Sequence, residues 1–111
     1  MHMSIKLPEA IAAYFAATNA HDVDAMLARF AKTAIVKDEG KTMRGADAVR
    51  QWMEETIRKY AFSVEALAIA AAEDKAVVTT RVSGSFPGSP IELRYHITLA
   101  GEKISRLEIH P

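Results

Sequence analysis

The chain has 111 residues, half of them apolar and a quarter charged, with acidic and basic groups in equal number. That length suits one domain over residues 1–111 with a single core and is too short for two. Zero formal charge gives no electrostatic reason to expect nucleic acid or an anionic membrane as a partner. The absence of cysteine excludes disulfides, thiolate metal sites and thiol nucleophiles.

From Pro8 to about Ala20, Leu7, Ile11, Tyr14, Phe15 and Thr18 fall on one helical face, and Pro8 suits the first turn. A second, shorter helix follows Asp22, whose carboxylate can cap it; Val23, Met26, Leu27 and Phe30 form its apolar stripe. Residues 33–38 read as a short strand. Glu39-Gly40 and Gly45 then punctuate the connection to a third helix from about Ala46 to Lys59. Its buried stripe is expected to hold Val49, Trp52, Met53, Thr56, Ile57 and Tyr60.

After Tyr60 the apolar period drops to two, which predicts four strands over about 62–72, 75–86, 91–99 and 104–110. The turns between them fall at Glu73-Asp74, Pro87-Gly88 and Gly101-Glu102, so the strands form an antiparallel meander. In the third of these strands Ile91, Leu93, Tyr95, Ile97 and Leu99 alternate with Glu92, Arg94, His96 and Thr98, giving one core face and one polar face. Pairing residue 86 with 91 across the Pro-Gly turn puts Val78, Thr80, Val82 and Phe86 on the inner face, with Arg81 outside beside His96. Glu65 shares parity with Leu67 and Ile69; a bulge would reverse that, and Glu65 is read as outward-facing.

Three helices, the last after a lone strand, followed by a four-stranded meander is the element order of the nuclear transport factor 2-like superfamily. The chain resembles its SnoaL-like and ketosteroid isomerase-like branches through residues 14–22 (Tyr-Phe-Ala-Ala-Thr-Asn-Ala-His-Asp), Phe30 through Asp38, and Arg44 through Val49. The resemblance implies an α+β fold: a cone-shaped, curved antiparallel sheet with three N-terminal helices packed on its concave face. It implies a pocket at the wide end and frequent homodimerisation, and no cofactor is expected. In the isomerase branch a tyrosine on the first helix donates to the substrate oxygen and an aspartate ending the first strand moves the proton. Tyr14 and Asp38 match those positions. The second donor of that branch is a protonated aspartate on the sheet, and Tyr95 occupies that place here. A phenol stays protonated at neutral pH and can donate to a developing enolate oxygen. SnoaL-type cyclases use an aspartate on the later sheet, and limonene-epoxide-hydrolase-type relatives use two carboxylates bridged by an arginine. The inner face of residues 91–99 has neither.

The candidate catalytic residues are therefore Asp38, Tyr14 and Tyr95, with Trp52, Val82, Phe15 and Leu93 expected to shape the ligand site. Each also has a plain structural role: Asp38 can solvate a strand end, and the aromatics can be core residues with satisfied polar tips. His2, His21, His96 and His110 show no metal-ligand spacing, so no metal is expected. Gly84 through Pro90 reads as a hairpin turn and not as a phosphate loop.

Two functions follow. The first is an isomerase-like proton-transfer enzyme acting on a small apolar carbonyl compound. The second is a non-catalytic ligand-binding or dimerisation module of the same fold. The sequence shows no apolar run of membrane-spanning length and no signal-peptide pattern, so a cytoplasmic location is expected. A homodimer is expected through the outer sheet face, where Ala66, Ala68 and Ala70 lie with Arg81, Arg94, His96, Arg106, Glu108 and His110. In the last hairpin His96 should sit next to Glu108 or Arg106.

Overall fold

A computed structural model describes residues 6–111. Helix α1 (Glu9–Asn19) buries Ile11, Tyr14, Phe15 and Thr18, the stripe expected from their spacing. Helix α2 (Val23–Leu27) is one turn long, and the Asp22 carboxylate accepts from the Ala25 N–H at 3.1 Å, satisfying one of the free donors of a helix start. Phe30 does not extend this helix. It opens strand β1 (Phe30–Asp38), because the Arg29 carbonyl just before it accepts from the Ile104 N–H at 2.8 Å and pulls the chain onto the sheet. The Phe30 ring still packs edge-on against Tyr14, with centroids 5.2 Å apart.

The connection after β1 holds an element that the turn signals obscured. Strand β2 (Lys41–Arg44) folds back antiparallel on β1 around Glu39-Gly40, pairing Asp38 with Lys41 and Ile35 with Arg44. Helix α3 (Ala46–Tyr60) follows, burying Val49 and Met53, with Trp52, Thr56 and Tyr60 half-buried beside them. It ends at Ala61 in the left-handed conformation (φ 46°), whose N–H bonds to the Ile57 carbonyl.

The meander comprises β3 (Ser63–Ala72), β4 (Lys75–Ser83), β5 (Ile91–Ala100) and β6 (Lys103–His110). The six strands form one open sheet in the order β2-β1-β6-β5-β4-β3, antiparallel throughout except that β1 runs parallel to β6. The sheet is curved, and the three helices lie on its concave face. Between them lies one core, including Ile11, Tyr14, Met26, Val36, Met53, Val78, Tyr95, Ile97 and Leu107.

Two details of register depart from the sequence reading. The β4–β5 hairpin pairs Val82 with Ile91, not residue 86 with 91, so Arg81 lies opposite Glu92 and His96 opposite Val77. The shift is four residues, an even number, so the inner set Val78, Thr80, Val82 is unchanged. Phe86 leaves the strand and sits in the loop that follows it. In β3 a bulge at Leu67 separates the pairs Ala66–Thr80 and Ala68–Thr79. Ala66 therefore opposes the fully buried Thr80 and packs against the core, whereas Ala68 and Ala70 remain outside. Glu65 is outside too, with its carboxylate 3.0 Å from Arg81. His96 lies opposite Glu108 in β6, as expected. Among the described residues no helix is long and apolar enough to cross a membrane.

Candidate functional site

The parallel pairing of β1 with β6 positions the site. Lys37 lies beside Glu108, so Asp38 at the end of β1 comes level with Ile109, and Ile109 lies opposite Tyr95 in β5. Two strand spacings thus separate the backbones of Asp38 and Tyr95, about 10 Å. The gap between them is roofed by α3, whose Trp52, Thr56 and Tyr60 recur at four-residue intervals and share one face.

A cavity of about 170 Å³ fills this space. Its floor is sheet (Val82, Ile91, Leu93, Tyr95 and Ile109), its roof is α3, and Asp38 and Glu39 enter from the β1–β2 turn. Phe62 and Phe86 close the far side. Ile91 is 39 % exposed, a large apolar side chain left at the rim.

Phe86 is held in place by a close backbone approach. The Ser85 N–H donates to the Tyr60 carbonyl at 2.6 Å, and a Cβ on Gly84 would stand 2.6 Å from the same oxygen. Only glycine fits there without displacing backbone. The loop after β4 is thereby pinned to the end of α3, and the Phe86 ring meets Tyr60 edge-on at 5.8 Å.

The Asp38 carboxylate accepts from the Trp52 indole N–H at 3.0 Å. Burial pushes its pKa above the ordinary 3.8, opposed by that hydrogen bond, while the charge of Glu39 adds to the rise. The Glu39 carboxylate accepts from the Tyr60 hydroxyl at 2.9 Å. Tyr95 is only 3 % exposed, and burial holds its phenol well above the usual pKa, reinforced by Tyr14 and Asp38. It is a fixed neutral donor. Among the described residues its hydroxyl takes no hydrogen-bond partner, and Tyr95 is part of the cavity lining.

Of the seven residues singled out from sequence, Asp38, Tyr95, Trp52, Val82 and Leu93 line this cavity. Tyr14 and Phe15 stand behind the wall. Phe15 packs edge-on against Tyr95 at 5.3 Å and braces it from the helix side. Tyr14 is 1 % exposed, wedged between Phe15 and Phe30. Burial, offset by the nearby Thr18 hydroxyl and increased by Asp38, raises its pKa strongly. Sequence reasoning put Thr56, Tyr60 and Phe86 on inward faces without assigning them to the site, and read Glu39 only as a turn residue. The i, i+4, i+8 spacing of Trp52, Thr56 and Tyr60 was the available signal for the roof.

A second depression of about 230 Å³ adjoins the first across the same wall of Asp38, Glu39, Trp52, Thr56 and Tyr60. Its outer side is formed by Lys41, Met43, Gln51, Glu55 and Lys59. The Lys59 ammonium lies 5.1 Å from the centre of the Tyr60 ring.

A profile of the SnoaL-like domain matches residues 11–107. The chain belongs to the SnoaL-like domain family. A proposed polyketide cyclase from Sinorhizobium meliloti is 38 % identical in sequence; the match covers 98 % of this chain and all of that one, with a TM-score of 0.93. A Catenulispora acidiphila protein with a ketosteroid isomerase-like fold, solved with trimethylamine, is 21 % identical over 96 % of this chain and 87 % of its own, with a TM-score of 0.84. SalBIII, an epoxide hydrolase/cyclase-like enzyme of pyran ring formation in salinomycin, is 24 % identical over 92 % of this chain and 87 % of its own, at 0.81. The last two likenesses concern the fold alone. No curated protein matches the chain.

Proposed function

We propose that this SnoaL-like protein is a proton-transfer enzyme acting next to the carbonyl group of a small, largely apolar compound. The observation that carries the reading is the Asp38 carboxylate, half-buried in the wall of an otherwise mainly apolar cavity that is also lined by Tyr95, whose phenol has no hydrogen-bond partner among the described residues. Removing a proton from carbon beside a carbonyl needs a carboxylate that can reach the carbon acid and a donor aimed at the oxygen where charge develops. Asp38 would be the base, raised in basicity by burial, with Trp52 fixing its orientation. Tyr95 would donate to the enolate oxygen, and Tyr14, behind the wall, would support that region without being the principal donor. Val82 and Leu93 would shape the apolar floor, with Phe15 bracing Tyr95.

The proposed cyclase identity of the 38 % relative supports this chemistry, because ring closure between carbonyl-activated carbons also starts with deprotonation next to a carbonyl. The cavity volume bears on substrate size. A cavity of about 150 Å³ holds benzene, so about 170 Å³ suits a single ring, with larger groups projecting through the rim at Ile91. Among the described residues that line it there is no arginine, which disfavours the carboxylate–arginine–carboxylate arrangement of epoxide hydrolysis. The test is deuterium wash-in from D2O at the α-carbon of cyclohexenones and related monocyclic enones. Exchange above the buffer rate supports the reading. Binding of such compounds with no exchange would favour the non-catalytic ligand-binding module.

A further inference from the structure

The cavity's charge points to a class of ligand beyond neutral carbonyl compounds. Two carboxylates, Asp38 and Glu39, reach it, and among the described residues no lysine, arginine or histidine lines it. Glu39 is partly balanced: Tyr60 donates to it, and the Lys59 ammonium lies over the Tyr60 ring, lining the adjoining depression together with Glu39. Among the described residues Asp38 has only the neutral Trp52 N–H as a side-chain partner. Glu39 is solvent-exposed, but the Asp38 carboxylate is partly withdrawn from water, and a carboxylate so placed favours a positive partner.

The remaining walls are those a soft organic cation prefers. Trp52, Tyr60, Phe62, Phe86 and Tyr95 supply five aromatic rings. The Tyr60 and Phe86 rings stand at 86° to each other, forming a corner. Aromatic faces carry negative potential, and several set around an alkylated nitrogen bind it better than water does once water is excluded. Tyr95 adds a third requirement: it lines the cavity, and among the described residues its hydroxyl is a donor with no acceptor.

We propose that this cavity binds a small alkylammonium compound that also carries an oxygen acceptor, with the nitrogen between the carboxylates and the aromatic corner and the oxygen at Tyr95. The inference goes beyond the proton-transfer reading and rests on the lining alone. A carbonyl compound bearing an alkylammonium group satisfies both.

The probe is choline, compared with 3,3-dimethyl-1-butanol, which has nearly the same shape and no charge. Calorimetric or NMR titration of the wild-type protein should show choline binding at least about tenfold more tightly than its neutral counterpart. Phe86→Leu, in a loop outside the sheet, keeps an apolar side chain but removes one face of the corner. It should weaken choline several-fold more than it weakens the alcohol. Asp38→Asn should narrow the preference for choline. Equal affinity for the two probes, tighter binding of the alcohol, or no binding of either at tens of millimolar would overturn the proposal. Because the titration involves no turnover, its failure leaves the proton-transfer reading standing, and a failure of deuterium exchange leaves this one standing.

Discussion

Replacing Asp38 by asparagine separates charge from volume at the cavity wall. The new amide oxygen can still accept the Trp52 indole N–H that reaches Asp38 at 3.0 Å, so the local geometry should survive. What is lost is the base. A positioned general base contributes about 10²–10⁴ in rate, equivalent to about 3–5 kcal/mol of barrier, and α-proton exchange should fall by that factor. Stability should move the other way. Burial raises the folded-state pKa of Asp38 above 3.8, so ionisation costs the folded state more than the unfolded one. Below pH 3.8 the carboxyl is neutral in both states and this cost is absent. It grows as pH rises and is complete above the folded-state pKa. Asp38→Asn should therefore melt at or above the wild-type temperature at pH 7, with the advantage vanishing as the pH falls toward 4. Paired measurements of wash-in rate and thermal melting at several pH values test both halves. Unchanged exchange would remove Asp38 from the mechanism, and a variant destabilised at pH 7 but not at pH 4 would refute the electrostatic account.

The remaining expectations are more local. Tyr95→Phe should lower α-proton exchange by about 10²-fold, the usual cost of one oxyanion donor, while Tyr14→Phe, behind the cavity wall, should lower it less; wash-in rates rank the two. Trp52→Phe removes the hydrogen bond that opposes the burial effect on Asp38, so the acid limb of the pH–rate profile should move to higher pH, and an unmoved limb would contradict the assigned role. Gly84→Ala sets a Cβ against the Tyr60 carbonyl; overpacking of this kind costs about 1–3 kcal/mol, so the melting temperature should drop by at least about 4 °C and ligand affinity should fall as Phe86 leaves the corner. We also propose a homodimer through the outer sheet face around Arg94, His96, Arg106 and Glu108, which light scattering at micromolar concentration would reveal as twice the monomer mass.

Much of the architecture was legible in the chain. The change of apolar period after Tyr60 divides helices from meander, and the i, i+3, i+4 pattern of Ile11, Tyr14, Phe15 and Thr18 marks the buried face of α1. Strict alternation in β5 places Tyr95 and Ile97 inward and His96 outward. These are consequences of backbone geometry, which couples side-chain direction to sequence spacing over a few residues. β2 escaped because its four residues lie between two glycine signals and carry almost no apolar pattern.

The site is a different matter. The inward or outward sense of a residue follows from local period, but its neighbours follow from register and strand order. The β4–β5 register depended on where the loop of residues 84–90 docks, and that was decided by the Tyr60 carbonyl, distant in sequence. The bulge at Leu67 turned Ala66 inward while Glu65 stayed outside. The sequence by itself determined an α+β domain, its inward-facing residues and the presence of Asp38 at a strand end. Only the tertiary structure brought Asp38 to the level of Tyr95, set Trp52 as its hydrogen-bond partner and moved Tyr14 behind the wall. Those outcomes depend on the parallel pairing of β1 with β6, a contact between residues some seventy apart in the chain, which no short-range pattern encodes.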